Sequence, residues 1–171
     1  MEEKLKKIIL VVMDVDGVLT DGRIILGSDG QEFKCFNVKD GHGIVLLHRA
    51  GIKTALITGR QSEAVEKRAR ELKIPLVFQN SKNKLETYQE LKAATHAQDH
   101  QIAYIGDDLV DIPIMKRAGV AVAVADAHPQ VKEVAHLVTE APGGKGAVRE
   151  FIELLLKAQD KWEEATQRYW Q

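Results

Sequence analysis

The stretch Ile8-Ile9-Leu10-Val11-Val12-Met13-Asp14-Val15-Asp16-Gly17-Val18-Leu19-Thr20-Asp21 joins an unbroken apolar run to an acidic turn. A run without polar interruption suits a central strand covered on both faces, and this one is too short to cross a bilayer. Residues two apart on a strand point the same way, which brings Asp14 and Asp16 together at its carboxyl end. In open α/β sheets that edge is where ligands bind. Two carboxylates so close repel unless a cation or a proton intervenes. Magnesium, which takes carboxylate, carbonyl and water oxygens, meets that need. The plain alternative is an acidic strand-to-loop turn with solvated aspartates.

Outward from this stretch, short apolar runs recur at 54–57, 76–78, 102–105 and 120–124, with a weaker one at 136–138. Helical spacing fills the intervals: Ala64, Val65, Arg68, Ala69 and Leu72 make one stripe, and Leu85, Tyr88 and Leu91 another. Such alternation predicts an α/β fold with a parallel sheet of βαβ units. Two helices are expected to stop at glycines, in Arg49-Ala50-Gly51 and Arg117-Ala118-Gly119. Between the first strand and the helix near Ile44, two β-prone stretches flank Ser28-Asp29-Gly30, a hairpin insertion at about residues 23–38. The last helix is predicted to begin near Gly146 and run on, its stripe being Val148, Ile152, Leu155, Ala158, Trp162, Ala165 and Tyr169.

Composition bounds the function. A chain of 171 residues, 44% hydrophobic and 29% charged, suits one soluble domain spanning residues 1–171. Lys+Arg 24 against Asp+Glu 25 leaves a net charge of -1, which offers no field for nucleic acid. Residues 1–7 are charged and too short for a secretory leader, and no run is long enough to span a membrane. The single cysteine, Cys35, has no disulfide partner and no companions at metal-ligand spacing, which fits a cytoplasmic protein. It reads as a semi-buried strand residue.

Three further clusters sit at strand ends or helix starts. Ile105-Gly106-Asp107-Asp108-Leu109-Val110-Asp111 places more carboxylates beside the first pair; alone, it would be a helix-capping turn. Thr58-Gly59-Arg60 offers a hydroxyl and backbone N–H groups to phosphate oxygens. Lys84, opening the helix after Phe78, could neutralise phosphate charge, although a solvated lysine is the default.

The order Asp-x-Asp, Thr, Lys, Gly-Asp-Asp resembles the four-motif pattern of the haloacid dehalogenase superfamily. The resemblance implies a three-layer Rossmann-like sandwich around a parallel sheet, with no cap domain in a chain of this length. It makes Asp14 the nucleophile and Asp16 the acid and then the base. It assigns Mg²⁺ to Asp14, the backbone carbonyl of Asp16 and Asp107, with Asp108 and Asp111 at the site's outer edge. Thr58 and Lys84 would hold the phosphoryl group. The hairpin, Phe36-Asn37-Val38-Lys39-Asp40-Gly41, residues 122–129 and residues 143–150 are similar, within that superfamily, to the 3-deoxy-D-manno-octulosonate 8-phosphate phosphatases. That likeness implies a small phosphorylated sugar acid as substrate, a role in lipopolysaccharide precursor synthesis, and a cytoplasmic homotetramer with shared active sites. A C-terminal tail (about residues 146–171) would cover a site.

Arg60 and Lys39 are then the candidates for the sugar acid's anionic groups. Arg60 after Thr58-Gly59 favours the eight-carbon substrate over a related nine-carbon one. Val45 and His42, expected close to the site, depart from the family's basic residue and tyrosine. His128 reads as a turn or helix-start residue, and Lys145 as a loop lysine or a substrate contact. Competing classes are a receiver domain, which lacks a second aspartate two residues after its acceptor, a phosphomutase, which needs a cap, and a non-catalytic scaffold.

Overall fold

The computed structural model describes all residues, Met1–Gln171. A short helix α1 (Glu2–Leu5) precedes strand β1 (Leu10–Met13). A hairpin of β2 (Ile25–Leu26) and β3 (Glu32–Phe33) follows, then α2 (Val38–Arg49) and β4 (Lys53–Ile57). The chain continues through α3 (Glu63–Glu71), β5 (Leu76–Phe78), α4 (Lys84–Thr95) and β6 (Ile102–Gly106). It ends with α5 (Ile112–Met115), β7 (Val120–Ala123), α6 (Pro129–Val134), β8 (Leu137–Val138), α7 (Ala147–Ala158) and α8 (Trp162–Thr166).

Six strands form one parallel sheet in the order β5-β4-β1-β6-β7-β8, as the alternation of apolar runs predicts. The order reverses at β1, so right-handed crossovers place α2 and α3 on one face and α4, α5 and α6 on the other. Val11, Val12 and Met13 have no exposed surface. Burying each stabilises the fold by about 1.5–3 kcal/mol, which is why this strand sits in the middle. Met13 lies beside Leu56 of β4 and Ile105 of β6, so the residues after all three strands leave along one edge. α7 buries Val148, Phe151, Ile152, Leu155 and Leu156. Its first turn is fixed by Asp40 of α2, whose buried carboxylate accepts from Gly146 N and Arg149 N at 3.2 and 2.8 Å.

Three expectations are corrected. The C-terminal helix does not run on: it breaks between Ala158 and Trp162, with Asp160 left-handed at φ 55. There Lys161 N donates to Leu156 O at 2.9 Å, and the Gln159 amide donates to Leu5 O and Ile8 O, both at 2.8 Å. No glycine or proline announces this stop. Second, Gly51 closes α2 with φ 75, but Gly119 is not left-handed. A Cβ at Gly119 would lie 2.6 Å from His100 O, so close backbone approach is what requires glycine there. Third, Cys35 is exposed just past β3 and not semi-buried. His128 does start a helix, its Nδ1 accepting from Gln130 N at 3.2 Å.

Candidate active site

Asp14 follows β1 directly, its backbone N donating to Ile105 O at 3.1 Å. Its carboxylate is almost wholly buried, accepting from Val15 N at 2.7 Å and pairing with Lys84 Nζ at 2.8 Å. Burial and the Asp111 charge raise its pKa, and Lys84 opposes them. Lys84 is itself buried in the first turn of α4, a helix capped by Asn83, whose side chain accepts from Leu85 N and Glu86 N. Burial alone would lower the Lys84 pKa, but the Asp14 and Asp111 carboxylates raise it, so its ammonium is a fixed charge.

Asp111, expected at the outer edge, is instead the hub beneath the site and has no exposed surface. One carboxylate oxygen accepts from Lys84 Nζ at 2.8 Å and from the Tyr104 hydroxyl at 2.6 Å. The other accepts from Asp107 N at 3.0 Å and Asp108 N at 3.3 Å. With both oxygens engaged, Asp111 orients its neighbours and keeps no lone pair aimed at a ligand. Tyr104, on β6, is the partner that sequence reasoning missed. It sits one residue before Ile105 in an apolar run and gives no polar signal.

Asp107 contrasts with it. Oδ1 of Asp107 is buried without a hydrogen-bond partner. Burial, with the charges on Asp14 and Asp111, pushes its pKa up to about 8. An orphaned carboxylate oxygen under like-charge repulsion is relieved by a hard divalent cation. Carboxylate oxygens of Asp14, Asp107 and Asp111 lie within 4.8 Å of one another, but the saturation of Asp111 leaves Asp14 and Asp107 as the side chains fit for a metal. Gly17 keeps that space open: its φ is 92, and a Cβ there would lie 2.0 Å from Asp107 Oδ2.

Asp14, Lys84 and Asp107 open onto a cavity of about 810 Å³ that is also lined by Asp16, Thr58, Gly59, Arg60, Ser81 and Asp108. Thr58 is held at the end of β4 by its N–H to Phe78 O (2.9 Å) and its carbonyl from Ser81 N (3.0 Å). Asp108 caps the turn after β6, accepting from Leu109 N at 2.8 Å. Asp16 Oδ1 meets Lys34 Nζ at 2.5 Å, and Arg60 Nη2 donates to Glu32 Oε2 at 2.6 Å. Lys34 and Glu32 come from the hairpin and were missed. Their only sequence signal is two-residue alternation, with Glu32 and Lys34 turned inward and Phe33 and Cys35 exposed.

Lys39 is not brought to this cavity. Its N–H begins α2 by donating to the Asn37 cap at 2.8 Å, and its side chain is exposed. Lys145 is exposed and does not line the cavity either. Nor do Val45 and His42, contrary to expectation: Val45 packs against the core, and His42 Nε2 bonds the Tyr169 hydroxyl at 2.7 Å. Arg49 donates to the same hydroxyl at 2.8 Å, so the C-terminal segment lies on its own α2.

A family model for haloacid dehalogenase-like hydrolases matches residues 76–152. The 3-deoxy-D-manno-octulosonate 8-phosphate phosphatase of Yersinia pestis is 51% identical over 157 residues, 92% of this chain and 84% of that protein. The crystal structure of the same enzyme from Moraxella catarrhalis, in complex with a magnesium ion, a phosphate ion and KDO, superposes with a TM-score of 0.95 at 42% identity. That match covers 99% of this chain and 97% of the other. The cobalt-bound form from Haemophilus influenzae gives a TM-score of 0.93 at 39% identity, over 98% of this chain and 99% of the other. With its four motifs converging on one cavity and relatives this similar along almost its whole length, the chain belongs to the 3-deoxy-D-manno-octulosonate 8-phosphate phosphatase family of haloacid dehalogenase-like hydrolases.

Proposed function

We propose that this chain hydrolyses 3-deoxy-D-manno-octulosonate 8-phosphate to the free sugar acid and phosphate, with Mg²⁺ as cofactor. The observation that carries this reading is the buried Asp14, paired with Lys84 and lining one cavity with Asp107, one of whose carboxylate oxygens is unpartnered. In it, an Asp14 oxygen attacks phosphorus, the bond from phosphorus to the sugar oxygen breaks, and Asp16 gives that oxygen a proton. The aspartyl phosphate on Asp14 is then hydrolysed by a water whose proton Asp16 takes. Lys84, Thr58 and the Gly59 backbone hold the phosphoryl oxygens, and Arg60 meets an anionic group of the sugar acid. Mg²⁺, held by Asp14, Asp107 and the Asp16 backbone carbonyl, supplies charge neutralisation at the phosphoryl group. Asp108 and Asp111 support these groups.

The reading extends to one domain over residues 1–171, a cytoplasmic location, a place in lipopolysaccharide precursor synthesis, and a homotetramer with shared sites. The exposed apolar residues Ile24, Ile25, Leu26 and Phe33 on the hairpin support assembly through it, and a monomeric mass in solution contradicts it. No helix is long and apolar enough to cross a membrane. The test of function is phosphate release from a panel of sugar phosphates, with and without EDTA. Release confined to the eight-carbon sugar acid phosphate and abolished by EDTA is expected. Release spread over the panel removes the named substrate, and none from any member overturns the reading.

A further inference from the structure

The hairpin does more than present an apolar surface. On β3 and the residue after it, Glu32 and Lys34 turn their side chains toward the sheet edge. The Lys34 side chain is only 1% exposed. Burying an ammonium is costly unless it is paired, and here the pairing leads into the site. Nζ of Lys34 lies 2.5 Å from Asp16 Oδ1 and 2.9 Å from Glu32 Oε1, the latter an ion-pair contact off the hydrogen-bond axis. Glu32 Oε2 continues the chain to Arg60 Nη2 at 2.6 Å. Asp16 and Arg60 line the cavity, whereas Lys34 and Glu32 stand behind them. Lys34 thus occupies one oxygen of Asp16 and fixes the direction of the other.

We propose that Lys34 is a positioning residue: it aims the Asp16 carboxyl at the leaving oxygen, and Glu32 ties that alignment to Arg60, so the hairpin sets leaving-group chemistry. This rests on the acid–base role given to Asp16 above. In the first step, phosphoryl transfer to Asp14, a group acting only through Asp16 matters most where the leaving oxygen needs a proton and little where the leaving group is an aryl oxide. The second step, hydrolysis of the aspartyl phosphate, is slowed alike for both. General acid–base catalysis contributes about 10²- to 10⁴-fold.

The experiment compares Lys34→Met, Lys34→Arg, Asp16→Asn and the double variant on the sugar phosphate and on p-nitrophenyl phosphate. Lys34→Met is expected to lower kcat on the sugar phosphate about 100-fold while the p-nitrophenol burst stays within about threefold of wild type. Lys34→Arg should recover part of the loss, and the double variant should be no slower than Asp16→Asn, because residues acting as a unit are not additive. A p-nitrophenol burst slowed as much as turnover of the sugar phosphate, or losses that multiply in the double variant, overturn the proposal. If Asp16→Asn itself shows no such leaving-group dependence, the acid–base reading fails, independently of Lys34. A burst in Lys34→Met also reports that the variant is folded.

Discussion

Two ion clusters meet at the cavity, and they are built in opposite ways. Lys84, Asp14 and Asp111 come from the ends of central strands and the start of a helix, lie buried, and are locked by Tyr104 and backbone N–H groups. Asp16, Lys34, Glu32 and Arg60 form a chain that depends on an inserted hairpin, with Arg60 reaching solvent. In the proposed reaction the first cluster handles the phosphoryl group, which is common to all phosphate esters. The second, in the same proposal, handles the leaving group, which differs between substrates. On that proposal core residues carry the shared chemistry and the inserted hairpin the part that meets the leaving group.

Substitutions can break this division. Asp14→Asn removes the proposed nucleophile and should lower kcat by at least about 10⁴-fold on every substrate, aryl or sugar, in a phosphate-release assay. Asp111→Ala leaves buried Lys84 with Asp14 as its one carboxylate partner, and leaves the Tyr104 hydroxyl and two N–H groups unsatisfied. Urea unfolding should then show a loss of about 3–5 kcal/mol. Gly17→Ala meets both the left-handed φ and the Asp107 carboxylate. A Mg²⁺ titration of activity should show half-saturation raised about 10- to 100-fold, as when a metal ligand loses its support. Arg60→Met is the mildest, raising KM for the sugar acid about tenfold with p-nitrophenyl phosphate unaffected. A loss from Arg60→Met on both substrates would merge the two clusters into one.

The two clusters were also unequally legible. Asp14, Asp107, Thr58 and Lys84 each follow an apolar run or open a helix, so strand periodicity alone delivers them to one edge. Asp111 was visible but misplaced, because its role depends on a turn that folds its carboxylate back under Asp107 and Asp108. Lys34 and Glu32 were invisible as site residues. Nothing local says that a hairpin will carry Lys34 to Asp16, 18 residues earlier in the chain. The break after Ala158 escaped for a related reason: a left-handed aspartate and a glutamine reaching Leu5 and Ile8 replace the usual glycine. Period and punctuation report what neighbours in sequence do, and both misses are long-range hydrogen bonds.

The division of labour is tested most directly by acid-quenching Asp16→Asn during turnover of p-nitrophenyl phosphate and mapping the phosphoryl group by peptide mass. An aryl leaving group needs no proton, so the buried cluster should still accept the phosphoryl group. Without Asp16 to activate water, that group should accumulate on the peptide carrying Asp14. Turnover with no adduct, or an adduct on another residue, would contradict the account.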